Sequence, residues 1–238
     1  MVKNSGSSGD DSLTADPGNS VLASLTNISL QHPAKLGLIG SVIWSVLMLF
    51  YIVNDLLVEP INLYPILVVT DILNIVGAIL LFMFIRFLYN QGVHFGSRKL
   101  IFMIMVGFGL RVIGNLFDTI NYFLIEYGVA DVALLSLLFI FSDLFHLLGA
   151  LAIAAIMLLL FRKEHKRIYK VTCFLSIISA LLYGIVHIYL FLLDAGIING
   201  VYIQIIRLVS LLTSITLILY FSLLLKDSIK GQREKKTP

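Results

Sequence analysis

Six uninterrupted apolar runs, each about 20 residues or longer, limit what this chain can fold into, because about 20 apolar residues of helix cross a bilayer's hydrocarbon core. The runs lie at 36–58, 63–89, 99–126, 132–161, 168–193 and 200–225. They are continuous rather than alternating, and about twice as long as a membrane-barrel strand, which excludes a β-barrel. The chain is 59% hydrophobic and only 13% charged, where a soluble domain carries about 25% charged residues. The expected fold class is therefore all-α: a polytopic transmembrane bundle of six spans. The short connections between runs predict antiparallel neighbours.

The flanks differ from this core. Residues 1–35 open with the polar stretch "NSGSSGDDSLTADPGNS", which has no apolar period and is expected to form a flexible tail. "VLASLTNISL" after it reads as a short helix on the membrane surface. No cleavable signal peptide is expected, since the first apolar run starts late and is too long for one. The domain division is a tail over 1–35, a six-helix domain over 36–226 and a basic tail over 227–238. Lys and Arg set the orientation. Fifteen of the seventeen fall at one face: Lys3 and Lys35, Arg86, Arg98 and Lys99, the cluster "FRKEHKRIYK", and the last five from Lys226 onward. The opposite loops carry only Asp55, Glu59, Glu126, Asp131 and Asp194. By the positive-inside rule the basic face and both termini are cytoplasmic, which places the chain in a plasma membrane with the lipid bilayer as its first partner. Asn27, Ile28 and Ser29 form a glycosylation acceptor that such a topology leaves silent. The charge pattern serves topology and gives no reason to expect nucleic acid. The single Cys173 excludes an intramolecular disulfide and a cysteine zinc site.

The two remaining basic residues, Arg111 and Arg207, lie inside spans, as do Asp71, Asp118 and Asp143. In the third span Arg111, Asn115, Asp118 and Tyr122 recur at helical spacing and form one stripe, with Asp118 about 10 Å beyond Arg111. The second span carries Asp71 and Asn74 one turn apart. The fourth carries Asp143 and His146, the fifth Tyr183 and His187 with Ser176 and Ser179, and the sixth Gln204 and Arg207 with Ser210 and Ser214. Each charge costs roughly 2.5–3.5 kcal/mol at the centre of an isolated helix, so these groups must face one another or water. Arg111 and Arg207 are expected to pair with Asp71, Asp118 or Asp143, because a guanidinium fork fits a carboxylate. Asn74, Asn115, Tyr183 and Gln204 then satisfy the remaining donors and acceptors.

A network that only fixes helix register would explain these residues, but small-residue or apolar packing does so without desolvation. Their bias toward one face predicts an outward-facing pocket for a small polar or anionic ligand, used for sensing or transport, with Asp71, Asn74, Arg111, Asn115, Asp118, Tyr122, Asp143, His146, Tyr183, His187, Gln204 and Arg207 as candidate ligand-binding residues. A transporter of six spans would work as a homodimer, with the serines of the last two spans as an inner route. A sensor would need a signalling partner: the order of Asp and "SDLFHLLG" in successive spans resembles multi-span input modules of prokaryotic sensor proteins, and the sequence contains no kinase or cyclase domain. The alternative is an intramembrane metal-dependent hydrolase built on Asp143, His146 and His187. There is no HExxH or GxSxG motif, and no metal-ligand set or particular cofactor is assigned. A proton relay through Asp118, Asp143, His146 and His187 is disfavoured by the apolar cytoplasmic halves of the second and fourth spans. Gly77, Gly107, Gly109, Gly114, Gly149 and Gly184 are expected at close helix contacts, and Tyr51, Tyr64, Tyr89, Tyr127, Tyr169, Tyr189 and Tyr220 at the membrane interfaces.

Overall fold

The computed structural model describes residues 31–56, 64–90, 98–128, 131–197 and 203–234 of the 238-residue chain. They form six helices: α1 (Gln31–Leu56), α2 (Tyr64–Asn90), α3 (Arg98–Glu126), α4 (Val132–Lys163), α5 (Arg167–Asp194) and α6 (Ile203–Glu234), with no strand among the described residues. All six are long and apolar enough to cross a membrane. The chain is a multi-pass integral membrane protein.

Two boundaries depart from the sequence reading. Helix α1 starts at Gln31, so residues 31–35 belong to the bundle rather than to a tail. Pro33 is accepted there because a first-turn residue has no intrahelical N–H bond to lose. Helix α6 continues to Glu234, through Lys226 and Lys230. The segments 1–30 and 235–238, including the expected surface helix, lie outside the described residues.

Each helix packs on its neighbour in sequence, and α6 returns to pack on α1, so the six helices close into a ring. One face of every helix looks outward with exposed aliphatic and aromatic side chains, among them Val46, Met103, Phe123, Ile185 and Leu208. In hydrocarbon that is the stable arrangement, because polar groups are then confined to the lumen.

The ring has two unlike halves. Toward the end that carries Arg98, Lys163, Arg167 and Lys226, the lumen is filled by Leu81, Phe84, Ile85, Phe108, Ile153, Ile156, Met157, Leu217 and Phe221, which leave only about 10 Å³ of free space. Phe84 and Phe221 meet edge-on with centroids 4.7 Å apart. Below this plug the α4–α5 turn is tied to α6: Lys166 Nζ lies 3.0 Å from Asp227 Oδ2, and the Tyr169 hydroxyl donates to the same oxygen at 3.1 Å. At the opposite, acidic end, Asp131 caps α4 by accepting from the Ala133 N–H at 2.9 Å.

Several interhelical contacts depend on small residues. A Cβ at Gly40 would stand 2.6 Å from the Gly77 carbonyl oxygen, so α1 and α2 touch backbone to backbone. Gly109 differs from the expectation: nothing lies within 4 Å of its position, and it is no packing point. Tyr169 and Tyr220 also differ, being wholly buried in the bundle rather than at an interface. Gly40→Val is expected to cost about 1–3 kcal/mol of stability, as overpacking does, and Gly109→Ala to change little. SDS-titration unfolding of both variants checks this; equal stability would remove the α1–α2 backbone contact from the account.

Candidate ligand pocket

The acidic half of the lumen holds a cavity of about 410 Å³ to which all six helices contribute. Helix α1 supplies Trp44, Met48 and Tyr51, and α2 supplies Asn74. Helix α3 gives Asp118 and Tyr122, α4 gives Phe139, Asp143 and His146, α5 gives Tyr183, His187, Leu190, Leu193 and Asp194, and α6 gives Ile206 and Arg207.

Two Asp–His pairs form one wall. His146 Nε2 lies 2.9 Å from Asp118 Oδ2, and His187 Nδ1 lies 3.0 Å from Asp143 Oδ1. The imidazoles stack on each other, with centroids 4.8 Å apart and planes inclined by 22°. Tyr183 meets His187 edge-on at 4.5 Å. Ser142, beside Asp143 in sequence, donates to the second Asp118 oxygen, so Asp118 is held from α4 at both ends. The spacing explains the geometry: Asp143 and His146 are one turn apart on α4, so each reaches a different neighbour, α5 for Asp143 and α3 for His146.

Arg111 corrects the sequence reading. Among the described residues it pairs with no aspartate. Its guanidinium lies over the Trp44 ring, 3.7 Å from the centroid, with the Tyr183 ring at 5.6 Å. It is 1% exposed, and its Nε and Nη1 have no hydrogen-bond partner. Asp118 and Asp143, two of the aspartates expected to receive it, are engaged by histidines, and the indole face takes their place: a delocalised, weakly hydrated cation is attracted to the ring quadrupole. Gly149 makes the room, since a Cβ there would stand 2.7 Å from the Arg111 Cβ. Arg207, the other arginine, donates through Nη1 to the Tyr51 carbonyl at 2.9 Å and lies over the Tyr51 ring at 5.1 Å.

Of the residues singled out from sequence, Asn74, Asp118, Tyr122, Asp143, His146, Tyr183, His187 and Arg207 line the cavity. Arg111 and Asn115 are buried outside its lining, Asn115 accepting from Asn74 Nδ2 at 3.0 Å. The side chains of Asp71 and Gln204 lie outside those described. Asp194, Trp44 and Tyr51 were not singled out. Asp194 follows His187 by seven residues and Tyr51 follows Trp44 by seven, which is two helical turns and so the same face; that spacing was the available signal. Of the serines expected as an inner route, Ser214 accepts from Ser45 at 2.7 Å and Ser179 bonds with Thr216 at 3.2 Å, both across helices, whereas Ser210 donates to the Ile206 carbonyl of its own helix and the buried Ser176 hydroxyl has no hydrogen-bond partner. Although His146 and His187 meet, no three His, Cys, Asp or Glu side chains among the described residues are grouped as a metal site requires.

No family model, curated protein or solved structure matches this chain. The geometry of the pocket is thus the ground for any functional reading.

A double-mutant cycle on Arg111→Met and Trp44→Leu is expected to return a coupling of about 2 kcal/mol, the size of a desolvated cation–π contact. Unfolding of the wild type and the three variants measures it. A coupling near zero would mean that the stacking contributes nothing to the fold.

Proposed function

We propose that this membrane protein binds a small polar solute in the lumen of its helix ring, entering from the non-cytoplasmic side, and that it senses the solute. The observation carrying this reading is the division of the lumen: a 410 Å³ cavity with polar walls in one half and a closely packed apolar plug in the other. A network that served only to hold helices would be close-packed throughout, because each void loses contacts without return. The orientation comes from the basic residues at the plugged end, among them Lys35, Arg98, Lys99, Lys163, Arg167 and Lys226, so the cavity lies on the far side from the cytoplasm.

Sensing is favoured over transport by the plug. Phe84, Phe221 and Met157 close the route toward the basic end, and the hydroxyls of Ser214 and Ser179 are engaged by other helices. Transport requires this region to open and a second copy or a large rearrangement to provide alternating access. Sensing requires only that binding favour one arrangement of the helices over another, with α6 as a continuous connection between Arg207 at the cavity and Lys230 at the basic end.

Cysteine labelling tests the reading. Leu190→Cys and Ile206→Cys, in a Cys173→Ala background, are expected to react with a membrane-impermeant maleimide added outside intact cells, and Ile153→Cys in the plug is not. No reaction at 190 or 206 from either side would remove the open pocket, and reaction only from the cytoplasmic side would reverse the orientation. Uptake of a bound solute into proteoliposomes would replace sensing by transport.

A further inference from the structure

We infer that the seam between α3 and α4 binds an anionic phospholipid of the leaflet at the basic end, with one acyl chain in an apolar groove and the phosphate at Arg98, Lys99 and Arg162. The site lies on the outside of the ring, apart from the lumen pocket, and goes beyond the function proposed above.

The groove is the first ground. It has a volume of about 480 Å³ and is lined by apolar side chains and Gly107. A Cβ at Gly107 would stand 2.9 Å from the Ala152 Cβ and 3.1 Å from the Leu148 carbonyl oxygen, so the two helices come close there and leave a floor without large side chains. Met103, Val106 and Leu151 also line the groove and are exposed on the outside of the ring. Between Leu100 and Leu110 the groove follows α3 for about 15 Å at 1.5 Å per residue. A hydrocarbon core is about 30 Å thick, so the groove runs the depth of one leaflet, from the basic end to the level of Arg111.

The charges are the second and independent ground. Lys99 precedes Met103 by one helical turn, and Arg98 precedes Phe102 by one. Arg162 follows Ala155 by two turns, on the same face of α4. Three cations thus stand at the basic end of the groove. All three are exposed, and none forms an ion pair among the described residues. Lys166 differs, since Asp227 holds it. Glu164, at the end of α4, is buried. Helix α3 has no acidic residue in its first turn, so the positive end of its dipole adds to the same field. Topology alone asks for basic residues anywhere at this end; it gives no reason to set unpaired ones over an apolar groove.

An anionic amphiphile matches both features. Its phosphate accepts from guanidinium and ammonium groups, and its chain fills the groove at the depth where chains lie. A second copy of the protein matches only one. Copies in one membrane share an orientation, so a two-fold contact along this groove would set Arg98, Lys99 and Arg162 against their counterparts at the same depth.

The test adds palmitoyl-oleoyl phosphatidylglycerol or phosphatidylcholine, which share their chains, to the full-length protein in detergent and counts bound lipid by native mass spectrometry. Phosphatidylglycerol is expected to bind with at least about a tenfold preference, since each Lys or Arg near an anionic headgroup contributes roughly fivefold. The triple variant Arg98→Gln, Lys99→Gln, Arg162→Gln should abolish the preference. Arg86→Gln, Lys226→Gln, Lys230→Gln removes the same charge elsewhere at the basic end and should keep it. Ala155→Phe, which fills the groove, should weaken phosphatidylglycerol binding, and glycerol phosphate, a headgroup without chains, should not displace it. The substituted charges of the first triple variant are exposed, so that variant is expected to fold, and the two triple variants decide the matter if Ala155→Phe does not fold. Equal retention of the two lipids overturns the inference, as does equal loss in the two triple variants, which would mean a diffuse basic face. Displacement by glycerol phosphate would show that the groove takes no part, and a dimer that Ala155→Phe dissociates would put a second copy in it; either result overturns the inference.

Discussion

The Arg111 guanidinium is buried at mid-depth in the helix ring with no carboxylate beside it among the described residues, and the rest of the lumen is arranged around how that charge is held. A charge isolated in a medium of low dielectric is among the costliest groups a fold can bury. Arg111 spreads its charge over a planar group and lays that plane on the indole of Trp44. Four helices are committed to this one contact: α3 provides the cation, α1 the indole, α5 the second ring through Tyr183, and α4 the space, through the missing side chain of Gly149. The contact also marks where the lumen changes character. On its acidic side lie the Asp–His pairs and the cavity; on its basic side lies the aromatic and aliphatic plug.

The aspartates are released from the arginine by this arrangement, and the histidines take them. An imidazole is smaller than a guanidinium and can be neutral, so an Asp–His pair leaves one ring nitrogen for other uses. Two such pairs, from α3 to α4 and from α4 to α5, stitch three consecutive helices together while keeping chemistry exposed to the cavity. The four side chains that join these helices thus also line the cavity.

The helices, their order and their length were legible because length and apolarity alone decide whether a helix can cross hydrocarbon. The stripe Arg111, Asn115, Asp118 and Tyr122 was legible because its members share one helix and its 3.6-residue period. What pairs with what was not. Trp44 lies in a span that reads as featureless, 67 residues before Arg111, and nothing in either segment says that they stand at the same depth on facing helices. The expectation that Arg111 would take an aspartate came from pair chemistry, and it failed because His146 and His187, placed by other helices, reach Asp118 and Asp143 first. Asp194 was read as a loop charge since it ends α5; only its spacing from His187 relates it to the lumen. Gly109 and the serine stripe show the same limit, since the sequence names a small or polar residue without saying which neighbour it meets.

The length of α6 has a mechanical meaning. From Arg207, in the cavity lining, to Glu234 the helix runs unbroken for 27 residues, about 40 Å at 1.5 Å per residue. A rigid rod of that length pivoting by about 5° at Arg207 moves its far end by roughly 3–4 Å. The Lys166–Asp227 and Tyr169–Asp227 contacts lie near that end and oppose the swing. In the sensor proposed above, the same helix would be a lever with its short arm in the pocket and a catch on its long arm, and the displacement at the basic face would be set by how firmly that one aspartate is held.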